Sequence, residues 1–139
     1  MAVENSTARA RTVAPTAWAA SVDPDGASVP LVDHAGLDQL EAVVSRERLS
    51  TLIKTSIADA ERSCAVMTAL PASSEELARE AHNLSGVSGV LRLTRISQLT
   101  REIELRARTA RRVEPLLEEL KELVPATAAE LRRLGLMWD

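Results

Sequence analysis

From His34 to Leu134 the apolar residues of this chain return every three or four positions, run after run, and no strand signal of comparable quality competes. A 3.6-residue period places such residues on one face of an α-helix, whereas a half-buried strand needs alternation. The pattern confines the chain to helices that each hide one face. Composition tightens this. Hydrophobic residues make up 45%, enough for a core, yet there is no Phe or Tyr and only two Trp. A core built from Leu, Val, Ile and Ala favours closely packed helices over a sheet, which usually recruits aromatics.

Taken in order, a short first helix is expected from His34 to Ser45, with Leu37, Leu40 and Val44 inward. A second runs from Arg46 to about Leu70, burying Leu49, Leu52, Ile53, Ile57, Ala60, Cys64 and Met67, and Pro71 ends it. Ser73, Ser74, Glu75 and Glu76 read as a capping box, a serine at the N-cap and a glutamate at N3, that starts the third helix. Thr94 is a candidate N-cap for the fourth, which takes Ile96, Leu99, Ile103, Ala107 and Ala110 inward and carries Arg101, Arg106 and Arg108 on its other face. The last spans Val113 to about Leu134, burying Leu116, Leu117, Leu120, Leu123 or Val124, Ala128 and Leu131. Pro125 should bend or break it near Lys121, and Gly135 is a natural stop. Short connections between long amphipathic helices predict an all-α fold over residues 31–135: an antiparallel four-helix bundle, up-down-up-down, with a short extra N-terminal helix.

Residues 1–30 lack a sustained period and carry a turn signal from Asp23 to Gly26, so a mobile tail is expected there, with Trp18 its one large apolar residue. The net charge of −3, with both signs interspersed, argues against nucleic acid. No apolar run reaches the ~18 residues that span a bilayer. The N-terminus lacks a signal-peptide layout, and Glu4, Asp23 and Asp25 weaken the resemblance of Arg9 and Arg11 to a transit peptide, so the expected location is cytoplasmic. The lone Cys64 reads as a core filler. His34, His82 and Cys64 are too far apart in sequence for a metal-site motif, and no metal site is expected.

One stretch stands apart. Between Glu76 and Leu91, the residues Leu77, Ala81, Leu84, Ser88 and Leu91 mark a core face, while His82, Gly86 and Gly89 form a second stripe about 100° away. A glycine inside a helix costs about 1 kcal/mol relative to alanine, so the pair needs a reason. Either the glycines keep the surface beside His82 bare for another protein, or they let this helix pack tightly on the next. Ser85 lies one turn from His82, but no nucleophile elbow or oxyanion loop accompanies them. His34, just before the first helix, suggests no function.

Ala81-His82-Asn83-Leu84-Ser85-Gly86, followed by Gly89, Leu91, Ile96, Leu99, Ile103 and Glu104, resembles the signature of histidine-containing phosphotransfer (HPt) domains, usually Ala-His-x-Leu-Lys-Gly. With the Leu37 to Leu40 segment and the helix order, the resemblance extends from about Pro30 to Leu134. It implies a phosphorelay intermediate that hydrolyses no ATP. His82 would accept a phosphoryl group from the aspartyl phosphate of one receiver domain and pass it to another, with Mg²⁺ supplied by the receiver and no cofactor of its own. A monomer is expected. A neutral imidazole nitrogen is a nucleophile at physiological pH, and phosphoryl transfer asks mainly for in-line access and electrostatic support.

The chain departs from that signature at Ser85, where a lysine is common, and at Arg92, where a glycine is frequent. A hydroxyl brings no charge, so Arg79 or Arg108 is the candidate source of a cation. Glu104 is a candidate contact of the histidine face or a solvated charge; Arg106, Arg108, Arg111 and Arg112 are a solvated face or a docking site. Ser85 motivates a rival reading: a non-catalytic module that binds a receiver or kinase without accepting phosphate. A plain helical scaffold is the third.

Overall fold

The structure, a computed structural model, describes residues 29–138. All but the last two residues of the expected tail, Trp18 included, lie outside that range. Among the described residues there are five helices and no strand: α1 (His34–Val44), α2 (Arg46–Ala69), α3 (Glu75–Val90), α4 (Thr94–Arg108) and α5 (Glu114–Arg133). α2, α3, α4 and α5 pack as a closed ring of neighbours, α2 returning to α5, and α1 lies on α2. The core is one cluster in which Leu49, Ile53, Leu77, Ile96, Ile103, Leu120, Leu123 and Leu131 are fully buried. Each such side chain contributes about 1.5–3 kcal/mol.

Local chemistry sets the helix ends. Asp33 caps α1, its Oδ1 accepting from the Gly36 N–H at 3.0 Å. Ser45 is the pivot between two helices: its N–H donates to the Glu41 carbonyl of α1 and its Oγ accepts from the Arg48 N–H of α2. α2 stops just short of Pro71, as expected.

The start of α3 differs from the expected capping box. The N-cap is Ser74, whose Oγ accepts from the Leu77 N–H at 3.1 Å. N3 is therefore Leu77, and no glutamate reaches back. Ser73 precedes it with φ 66°. Thr94 is likewise no cap: Leu93 holds that position, and the Thr94 hydroxyl donates to the Pro30 carbonyl at 2.7 Å. That bond, with Asp33 N–H to Arg92 carbonyl at 3.0 Å, straps the segment before α1 onto the α3–α4 turn.

Four helices end at a residue of positive φ, Ser45 (φ 80°) after α1 among them, and only one of these is glycine. Gly135 (φ 75°) closes α5: its N–H bonds to the Arg132 carbonyl and that of Leu136 to the Leu131 carbonyl, a Schellman pattern. Arg92 (φ 65°) closes α3 with the same two bonds, to Gly89 and Ser88. Ala110 (φ 56°) follows α4, with the Arg111 N–H reaching the Arg106 carbonyl. Ala110 is thus exposed beyond the helix, not in the core as its spacing suggested.

Two more expectations are corrected. Leu52 is 44% exposed, because it falls on the edge of the α2 stripe and Ile53 takes the inward position. Pro125 lies within α5, which runs unbroken from Glu114 to Arg133. Proline is exposed there while Leu123, Val124, Thr127 and Ala128 around it are buried, so tertiary packing holds the helix through the missing donor.

Candidate functional site

α3 and α4 run antiparallel, and a ladder of contacts between them builds the site. At one end a Cβ placed on Gly89 would lie 3.3 Å from Ser97 Oγ, so the helices approach closely there. Ser97 Oγ donates to the Ser85 carbonyl at 2.9 Å and accepts from Arg101 Nη2 at 3.3 Å. In the middle, His82 Nδ1 stands 3.1 Å from Glu104 Oε1. Towards the other end, Arg108 Nε donates to Glu104 Oε2 at 3.0 Å, and Arg108 Nη1 reaches both oxygens of Glu75 at 3.2 Å. One charged chain, His82–Glu104–Arg108–Glu75, crosses the helix pair twice.

The His82 side chain is 66% exposed and that of Glu104 only 19%. An ionised carboxylate can only accept, so the neutral imidazole carries its proton on Nδ1 and keeps its lone pair on Nε2. Nε2 has no hydrogen-bond partner among the described residues. Burial, the largest single influence on Glu104, pushes its carboxyl pKa up; the hydrogen bonds and charges of Arg108 and His82 together outweigh it and hold the carboxyl below its ordinary value. The hydrogen bonds to Glu104 and Glu75 raise the Arg108 pKa, so the guanidinium stays charged.

The two glycines separate. A Cβ on Gly86 would meet nothing within 4 Å, so that position is bare surface one turn after the histidine. Gly89 instead serves the approach to α4. Open surface and close helix packing, the two features weighed for the glycine pair, therefore fall on different glycines. Val90 continues the exposed face of His82 and Gly86, and across α4 an open groove is lined by Gln98, Arg101, Glu104, Leu105 and Arg108, with Leu105 exposed.

The other expected site residues have four different placements. Glu104 and Arg108 join the histidine, as described. Ser85 does not reach the imidazole: it is buried, and its hydroxyl donates to the His82 backbone carbonyl at 2.9 Å. Arg79 shares the His82 face, exposed and in no ion pair among the described residues. Arg92 is ten residues on, about 15 Å along the helix axis, and its side chain lies over Gly36 at the start of α1. Glu75 was missed by the sequence reading. It lies seven residues before His82, two helical turns on the same face, and that spacing was the available signal.

A model of the Hpt domain matches residues 34–130, well over half of the chain. The chain belongs to the Hpt domain family. Its members carry phosphoryl groups in phosphorelays on a histidine, and the all-helical bundle found here is consistent with that fold. Comparison with curated proteins and with solved structures returned no match. Among the described residues no cluster of three possible ligands could hold a metal ion. No described helix is long and apolar enough to cross a membrane.

Proposed function

We propose that this Hpt protein is a phosphorelay intermediate in which His82 accepts a phosphoryl group from a receiver-domain aspartate and donates it to another. The observation that carries the reading is the pairing of an exposed imidazole, its Nδ1 engaged by Glu104, with open space above Gly86. A nucleophile for phosphoryl transfer needs a free lone pair and in-line access, and little covalent help. Nε2 offers the first. The bare Gly86 position lets an acidic receiver site come close, and the exposed Val90 offers apolar contact one turn further along the helix.

On this reading the receiver brings the Mg²⁺, the protein needs no cofactor and has no ATPase or hydrolase activity, and it acts as a cytoplasmic monomer whose bundle runs up-down-up-down. The test is incubation of the purified protein with a phosphorylated receiver. Acid-labile label is expected on the wild type and none on His82→Gln. Label that persists on His82→Gln would place the acceptor elsewhere.

One observation favours a second reading, a docking module that is never phosphorylated. Ser85 is turned into the backbone, so nothing from the third position after the histidine meets an incoming phosphoryl group. That module would bind a receiver equally well with His82→Ala and take no label as wild type.

A further inference from the structure

We infer that Glu104 governs how long a phosphoryl group stays on His82, by holding a proton on Nδ1, and that Arg108 opposes it by sharing the carboxylate. The inference rests on His82 as the phosphoacceptor.

Its physical basis is the asymmetry of the contacts. Glu104 gives one oxygen to the imidazole at 3.1 Å and the other to Arg108 at 3.0 Å. Arg108 in turn divides its charge between Glu104 and Glu75. When the group is accepted, the Nε2 lone pair forms the N–P bond while the P–O bond of the aspartyl phosphate breaks, its electron pair leaving with the carboxylate. No proton leaves Nδ1, so the ring becomes cationic opposite the negative Glu104. When the group is passed on, an oxygen of an aspartate or of water bonds to phosphorus and the N–P electron pair returns to Nε2. With the Nδ1 proton in place the leaving group is a neutral imidazole. Without it the leaving group is an imidazolate, which is far poorer.

Departure of the phosphoryl group therefore runs through the ring protonated on Nδ1. A carboxylate in hydrogen-bond contact favours that cation by charge and by a charge-assisted bond. Other charges near the ring work against it or are already committed. Arg79, three residues before on α3, disfavours the cation; Glu75 is occupied by Arg108; Arg101, three residues before Glu104 on α4, is directed to Ser97 Oγ. Glu80, on the far side of α3, accepts from Ser63 of α2 at 2.6 Å.

The two side chains thus push in opposite directions, which a merely structural role would not do. The experiment phosphorylates the full-length wild type, Glu104→Gln and Arg108→Gln with phosphoramidate, removes the donor and follows loss of the acid-labile label across pH, with thermal melts confirming folding. Gln at 104 keeps an acceptor oxygen and drops the charge. It should lengthen the lifetime above neutral pH about tenfold and move the pH–rate profile about one unit lower, since one unit corresponds to tenfold in protonated fraction. Arg108→Gln should shorten the lifetime and move the profile upward. Shifts of the same sign in both variants, or no shift in Glu104→Gln on a wild type that does label, overturn this inference and leave His82 as acceptor. Equal labelling of His82→Gln and wild type overturns both.

Discussion

Among the described residues there are two His–Glu–Arg chains, and they differ in what they leave free. On the α3–α4 side His82 meets Glu104 through Nδ1, and Arg108 takes the second carboxylate oxygen. On the α1–α5 side His34 meets Glu130 through Nε2 at 3.3 Å, and Arg133 takes both oxygens of the same carboxylate. Exposure does not separate them: the histidines are 66% and 57% exposed and the glutamates 19% and 18%. The engaged nitrogen does. Bonding through Nδ1 leaves Nε2, the atom farther from the backbone, with its lone pair; bonding through Nε2 ties that atom down. The same three residue types thus make a candidate nucleophile in one place and a surface tether in the other.

The glycine near each histidine repeats the contrast and gives the means to break it. A Cβ on Gly36, two residues after His34, would lie 2.5 Å from Asp33 Oδ2 and 2.8 Å from Arg92 Cδ and Nε. Gly36→Ala should therefore displace the α1 cap and cost about 1–2 kcal/mol, with phosphotransfer by the folded fraction unchanged. Gly86→Ala meets open space and should raise stability by up to about 1 kcal/mol while slowing transfer from a receiver several-fold. Urea melts paired with transfer rates check both. A destabilising Gly86→Ala, or one that leaves transfer at the wild-type rate, would remove the distinction between a packing glycine and a landing-surface glycine.

The smallest expected effect is one the two chains share. Glu104 and Glu130 are both held below the ordinary carboxyl value, Glu104 by hydrogen bonds and charge that outweigh burial and Glu130 chiefly by its hydrogen bonds to Arg133. A carboxyl whose pKa is lowered on folding contributes stability above its unfolded pKa and loses it as pH falls through the folded one. Stability should hold through the neutral range and decline slightly below about pH 4.5, the ordinary glutamate value, and less so at high salt. Thermal melts of Glu104→Gln and Glu130→Gln against pH would sharpen the comparison: each variant should flatten the acid limb, and a variant melting like wild type at every pH assigns that pair no share of it.

Much of this was legible in the sequence because helix identity follows from apolar period, and period survives ignorance of the partners. Hence the five helices, and the stripe that sets Gly86 and Gly89 beside His82, came from spacing, which left open whether those glycines are bare or packed. What failed were features decided by a single residue's environment. Ser74, not Ser73, caps α3, because either serine satisfies the pattern and only the turn geometry chooses. Arg92 and Ala110 end helices in the left-handed region without glycine, so the usual stop signal is absent there; Arg92, expected near the histidine, is instead a helix terminator packed over Gly36. Ser85 had two partners in reach, the imidazole and the preceding carbonyl, and took the second. Glu104 was ambiguous for a different reason: its role depends on which face of α4 meets α3, a tertiary fact that the α4 stripe narrows but does not determine.

On the proposed function, Glu104 leaves Nε2 of His82 as the atom that takes the phosphoryl group. Nitrogen and phosphorus NMR of ¹⁵N-histidine-labelled protein, phosphorylated by its receiver, reads this directly from the ³¹P–¹⁵N coupling. The predicted result is a single phosphohistidine, bonded through Nε2 and absent from His82→Gln. Phosphorus on Nδ1 of His82, or on His34, would contradict it.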